Sequence, residues 1–177
     1  MGNVNEYGNA LFLLAKEENE IDRVGDDLKI VKAALAENAE YAKLLDTPAI
    51  QKTEKLALID EAFGKLCYCV VNLLKILCER HAVYSFDEVI STYSKLYDEH
   101  NGIERVTAVT AVPMTEAQIS KITEKLANMT GKKIVLKNII EPEILGGVKL
   151  RYSGIQLDGS VKTRLDKFES ALKNSVI

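Results

Sequence analysis

The sequence predicts an α+β protein, an N-terminal six-helix bundle followed by a small C-terminal αβ domain ordered strand, helix, strand, strand, strand, helix. Three observations carry this. Apolar residues recur at threes and fours from Val4 to Leu96. The period then changes to two at Ile103, in a run rich in Val and Thr. Finally, Glu141 to Val161, EPEILGGVKLRYSGIQLDGSV, packs two short strands, a tight turn and a helix start into one stretch. The junction falls near Asn101 to Arg105, giving domains 1–104 and 105–177.

The first helix spans Val4 to Asn19, with Tyr7, Ala10, Leu11, Leu14 and Glu18 along one row. Phe12, Leu13 and Ala15 widen its apolar surface beyond a single stripe, as in a central bundle helix or one that also docks a partner. The second, Ile21 to Glu37, points Val24, Leu28 and Val31 inward and exposes Arg23, Asp27, Lys29 and Lys32. A short third helix runs from Ala39 to Leu45. After Asp46-Thr47-Pro48 a fourth runs from Ile50 to Phe63, with Gly64 as its C′ residue. Short linkers make these antiparallel neighbours.

Leu66 to Arg80 is the most apolar helix, with only Asn72 and Lys75 as clearly polar interruptions before Glu79, and belongs at the bundle centre or beside a groove. Ser85 with Glu88 reads as a capping box opening a sixth helix, Phe86 to His100, which Asn101-Gly102 ends. His81 and His100, at helix C-termini, complement the macrodipole.

In the second domain, Ile103 to Val112 is a strand that Pro113 stops. A helix capped by Thr115 turns Ile119, Ile122, Leu126 and Met129 inward, and Lys133 to Ile140 is the next strand. Gly146 and Gly147 mark positive φ or close backbone approach before the strand Val148 to Tyr152. Ser153-Gly154 is a two-residue hairpin turn and Ile155 to Leu157 the return strand. Asp158-Gly159-Ser160 closes it, with Ser160 as N-cap of a last helix carrying Leu165, Phe168, Ala171 and Leu172.

Composition excludes several function classes. No apolar run approaches the roughly 20 residues that span a bilayer, and no presequence pattern precedes the first helix, so a soluble protein of a bacterial cytoplasm is expected. Cys67, Cys69 and Cys78 are read as structural thiols, because Cys-x-Cys without a second pair is poor zinc spacing; neither metal nor cofactor is expected. The Gly146-Gly147 pair lacks the context of a phosphate-binding loop. Asp158 and Ser160 have no histidine nearby in sequence, so turn and cap roles account for them and no catalytic residue is nominated. Through Arg105 the chain has 19 acidic and 12 basic residues, a charge of -7; beyond it, 7 and 11 give +4. The halves therefore face different partners. The basic residues lack interleaved aromatics, so nucleic acid is not expected.

ProGluIleLeuGlyGlyVal, followed by a strand, a Gly turn, LeuAspGlySerVal and Arg164-Leu165, resembles the C-terminal signature of the delta subunit of F-type ATP synthases. The mitochondrial counterpart is the oligomycin-sensitivity-conferring protein. Tyr7-Gly8-Asn9-Ala10-Leu11 is similar to the family's opening Tyr-Ala-x-Ala-Leu, departing at Gly8. Pro48 with Lys52 and Leu56, Asn72-Leu73-Leu74, Arg80-His81 and Val109 to Thr115 resemble further family segments in the same order, with Leu73 and His81 as departures. The resemblance implies a non-catalytic stator adaptor. Its N-terminal bundle takes the N-terminal helix of an alpha subunit between the first and fifth helices, and its C-terminal domain meets the peripheral-stalk b subunits. It also implies a place on the cytoplasmic face of the membrane. Tyr7, Ala10, Leu11, Leu14, Leu74 and Leu77 are the groove residues so expected.

The alternative is a small nucleotide-binding protein or enzyme using the turns at Gly146-Gly147 and Asp158 to Ser160 with Arg151 or Arg164. The two readings separate in a calorimetric nucleotide titration: the adaptor gives no saturable heat, and saturable uptake at one site would instead establish the alternative.

Overall fold

A computed structural model of the chain describes residues 4–144, 146–152 and 155–159. They form an α+β structure of seven α-helices and a four-stranded mixed sheet, divided into two compact units after Tyr97.

The first unit gathers α1 (Val4–Glu17), α2 (Ile21–Glu37), α3 (Ala39–Asp46), α4 (Lys52–Phe63), α5 (Tyr68–Glu79), a 3-10 turn (Val83–Ser85) and most of α6 (Phe86–His100) around one core. Helix α5 supplies the centre: Val70, Leu74 and Leu77 are completely covered, as are Val24 and Val31 of α2, Leu45 of α3, Ile59 of α4 and Val89 of α6. Each such side chain contributes about 1.5–3 kcal/mol over its exposed state.

Sequence-distant carboxylates fix two helix starts in this unit. Asp27, expected on the exposed face of α2, is buried, and its Oδ2 accepts the Cys67 backbone N–H at 2.7 Å. Helix α5 therefore begins at Tyr68, two residues after the expected Leu66, with Cys67 extended (ψ 132°) at its N-cap. Asp46 does the same for the 3-10 turn, accepting the N–H groups of Val83 at 2.9 Å and Tyr84 at 3.3 Å. That turn runs straight into α6, so Ser85 is buried within it rather than standing as the expected extended cap.

Two helices of this unit, α1 and α5, end on left-handed residues other than glycine. Asn19 (φ 57°) follows α1 and His81 (φ 52°) follows α5. In each case the next N–H reaches back five residues, Glu20 to Ala15 O and Ala82 to Leu77 O, both at 2.9 Å, which satisfies carbonyls the helix leaves open. Gly64, expected left-handed, is right-handed (φ -61°); a Cβ there would run into the Asp60 carbonyl oxygen. At Gly8 a Cβ would lie 2.7 Å from Thr92 Cβ, so this glycine lets α1 and α6 approach closely. Helix α4 begins at Lys52 rather than Ile50.

The division after Tyr97, earlier than the expected 104/105 junction, follows the partners of two adjacent residues. The Tyr97 hydroxyl donates to Asp22 of α2, whereas Asp98 accepts two hydrogen bonds from the Arg105 guanidinium.

The second unit contains β1 (Ile103–Thr110), α7 (Glu116–Thr130), β2 (Lys133–Ile140), β3 (Val148–Tyr152) and β4 (Ile155–Asp158) in sheet order β2-β1-β3-β4. Strands β1 and β2 pair parallel, with Ile103 opposite Lys133, and α7 is the connection such a pair needs. The other neighbours are antiparallel. Thr115 and Gln118 make the capping box that opens α7, and Gly131 (φ 67°) closes it. Leu126 packs against Val106 and Ile134 over the sheet, with Ile122 half-buried beside them. Met129, expected inward, is exposed. Asn138 fixes the β1–α7 connection: its Nδ2 donates to Ala108 O and Thr110 Oγ1, and its Oδ1 accepts the Met114 N–H. The final helix expected after Ser160, with Leu165, Phe168, Ala171 and Leu172, lies outside the described residues.

The Asp27 contact is buried, so its loss leaves the Cys67 N–H without its partner. Asp27→Ala is expected to cost about 1–3 kcal/mol, read as a lower urea midpoint, with Asp27→Asn losing less because its amide oxygen still accepts.

Candidate partner-docking site

The six residues expected to line a groove separate into two groups. Leu11, Leu74 and Leu77 are core residues, 3%, 0% and 0% exposed. Tyr7 is half-buried, while Ala10 and Leu14 are exposed. The helix repeat explains the split. Gly8, Leu11, Phe12 and Ala15 form the row that faces the core, and Tyr7, Ala10 and Leu14 form the adjoining row at its edge. Leu13, at 60% exposure, and Leu14, at 47%, leave α1 with more apolar surface than its own unit covers. Helix α5 contributes little open apolar surface: Tyr68 is exposed, but Lys75 and Glu79 are engaged with Asp60 and Lys52.

Beside Tyr7 a hollow of about 310 Å³ is lined by Val4, Tyr7, Leu77, Arg80, Ala82, Tyr84 and Ser85. The Arg80 guanidinium stands 5.9 Å from the Tyr7 ring centroid, within cation–π range. Apolar side chains, one guanidinium and tyrosine rings make a surface suited to an amphipathic segment. Sequence reasoning missed Tyr84, which is 73% exposed; its aromatic character directly after Val83 is the only local signal.

A larger hollow of about 680 Å³ lies among α2, α3 and the 3-10 turn, and its charged groups are largely engaged. Asp46 caps the turn and Lys32 pairs with Asp87 at 2.8 Å. His81, beyond α5, holds its ring against the Asp46 carbonyl oxygen at 2.9 Å. A carbonyl only accepts, so Nδ1 carries the proton.

The turn residues have structural surroundings. Gly147 has φ 87°, and the Gly159 N–H donates to Val148 O at 3.1 Å. Gly146 precedes it at φ 157°. Asp158, expected in the turn, is instead the last residue of β4, opposite Lys149 and ion-paired with it at 3.5 Å. Arg151 lies opposite Gln156 on β4. Gly154 and Ser160 lie outside the described residues. The described residues of these turns assemble no acid, base and nucleophile together.

A family model described as the ATP synthase delta (OSCP) subunit matches residues 4–172. The chain belongs to this family. It is 33% identical over 174 residues to ATP synthase subunit delta of Clostridioides difficile (strain 630), covering 97% of this chain and 96% of that one. It is 30% identical over 168 residues to the subunit of the same name from Synechococcus elongatus, covering 94% and 93%. Among solved structures, a chain of the Toxoplasma gondii mitochondrial ATP synthase hexamer superposes with a TM-score of 0.72 at 28% identity, covering 97% of this chain and 98% of that one. The protein is a non-catalytic stator subunit of an F-type ATP synthase, linking the catalytic head to the peripheral stalk. The enzyme reading of its glycine turns is thereby set aside. No described helix is long and apolar enough to cross a membrane.

The inner face of α1 in this delta-family chain rests on Tyr93. The Tyr93 ring meets Phe12 edge-on at 5.5 Å, and its hydroxyl donates to Ile21 O at 2.8 Å. Burial, with smaller effects from Cys69 and Asp22, holds the phenol well above its ordinary 10.0. The sign of the linkage follows. Below pH 10.0 folded and unfolded chains both keep the proton and the contribution is complete; above it the unfolded chain loses the proton first, so stability falls as pH rises. Tyr93→Phe is expected to cost about 1 kcal/mol near neutrality and to flatten the alkaline decline, measured as urea midpoints across that range.

Proposed function

We propose that the first unit receives the amphipathic N-terminal helix of an alpha subunit on the edge row of α1, with the Arg80 hollow as its end stop, and that the second unit meets the b subunits. The complex then holds this chain at the cytoplasmic face of a bacterial membrane. Rotation stays coupled to ATP synthesis or hydrolysis because the head is tethered to the stalk.

The observation that carries this reading is the surplus on α1. Leu13 and Leu14 are exposed on a helix whose inward row is already packed. A helix laid along Tyr7, Ala10 and Leu14 would cover apolar area at about 25 cal/mol per Å², and Arg80 would meet acidic or carbonyl groups at its end. Leu11, Leu74 and Leu77 act from beneath by keeping this surface in shape. No chemistry is required of the adaptor, only two interfaces in series. Tethering through both raises the effective concentration at each, so each contact can be moderate.

The test is calorimetric titration of the full chain with a synthetic alpha-subunit N-terminal helix. One saturable site is expected, with a negative heat-capacity change. Leu14→Glu should weaken it by at least roughly 10-fold, equivalent to about 1.4 kcal/mol, with an unchanged circular dichroism spectrum. Leu74→Ala should instead lower stability by about 2–5 kcal/mol. Undiminished binding by folded Leu14→Glu would remove α1 from the interface.

A further inference from the structure

We propose that Glu18, Glu20 and Cys67, with Cys69 beside Cys67 as the fourth donor, form a binding site for one thiophilic divalent cation of the zinc type. The Cys67 sulfur lies 3.0 Å from the Cys69 sulfur and 3.4 Å from Glu20 Oε2. Ligand atoms of Glu18, Glu20 and Cys67 all fall within 4.8 Å of one another. Tetrahedral zinc, with Zn–S near 2.3 Å and Zn–O near 2.0–2.2 Å, separates its donors by roughly 3.3–3.8 Å. For a cation to enter, the two sulfurs must therefore spread by roughly 0.8 Å, a rotation of the half-exposed Cys69 side chain, while the carboxylates close onto the ion.

Two short segments brought together by the fold supply the donors. Glu18 and Glu20 belong to the turn between α1 and α2, whose shape is set by left-handed Asn19. Cys67 and Cys69 flank the first residue of α5; Cys67 is extended and Cys69 helical, and this change of backbone turns both sulfurs to one side. The Cys-x-Cys spacing lacks a second cysteine pair, and the turn provides carboxylates in its place. The Cys67 main chain is itself held by Asp27, so its sulfur is positioned before any ligand arrives.

The carboxylate of Glu20 is also prepared. Arg23 occupies Oε1 at 2.8 Å, while Oε2 faces the Cys67 thiol. This is the arrangement of a monodentate ligand whose second oxygen is fixed by an outer partner. The Cys67 thiol donates toward Oε2, and a cation would take the place of its proton. Burial decreases from Cys67 through half-buried Cys69 and Glu20 to exposed Glu18, which leaves a path from solvent. The two sulfur donors select soft zinc-like ions over magnesium or calcium. A bound ion would clip together segments 47 positions apart, at the junction of α1, α2 and α5.

The test is a titration of the reduced full-length protein with Co²⁺, followed by Zn²⁺. Expected are one equivalent of Co²⁺, a sulfur-to-cobalt charge-transfer band in the near ultraviolet, intense visible bands of tetrahedral cobalt, displacement of both by Zn²⁺, and a higher melting temperature with Zn²⁺. Cys67→Ser and Cys69→Ser should each remove or halve the charge-transfer band. Glu20→Gln should weaken binding at least roughly 10-fold with the fold retained. If Cys67→Ser fails to fold, half-exposed Cys69 and Glu20 still provide the test. Absence of the band in folded, reduced protein would overturn the proposal. So would equal affinity in Cys69→Ser, or a Cys67–Cys69 disulfide whose reduction brings no metal uptake.

Discussion

The buried hydrogen bond from the Cys67 N–H to Asp27 is the contact on which the first unit's geometry depends. It costs the desolvation of a carboxylate, which the fold offsets by giving that carboxylate the Cys67 N–H at the start of α5, the helix that fills the core. The bond fixes where α5 starts and hence which of its residues reach Leu28, Leu45 and Ile59. It also sets the position of Cys67 beside Glu20. Asp46 plays the same part at the start of the 3-10 turn and α6, so two aspartates on α2 and α3 index the later helices against the earlier ones.

With α5 placed, α1 has a defined inner row and a defined surplus. Gly8 brings it close to α6, Phe12 meets Tyr93, and Leu11 and Ala15 close the core. Leu13 and Leu14 remain outside. A stator subunit works through such surfaces: it holds a partner by area and position, and strain transmitted along it must not unfold the support. A core centred on one apolar helix and indexed by the carboxylates of buried Asp27 and half-buried Asp46 meets that requirement.

The second unit is fixed by pairing rather than by a large core. Strand β1 lies between β2 and β3, parallel to one and antiparallel to the other, and its later residues Ala108, Val109 and Thr110 are buried in succession. The parallel pairing requires a crossover, which α7 supplies, and Asn138 ties the loop before α7 to both strands.

Local physics made much of this legible in the sequence. Period and punctuation determined α2, α6 and β2 to the residue, the Thr115 capping box and the change from helices to sheet, because each is a property of a few consecutive residues. Tertiary structure alone decided the rest. Asp27 read as surface because its partner is 40 positions away, and Ser85 read as a cap because Asp46, which takes that role, precedes it by a whole helix pair. The row from Tyr7 to Leu14 read as one face because periodicity locates an apolar stripe without saying which edge neighbouring helices cover. In the same way, Cys67 looked incomplete as a ligand until the fold set Glu18 and Glu20 beside it. Pattern specifies what a segment must bury; only the packing of distant segments specifies against what.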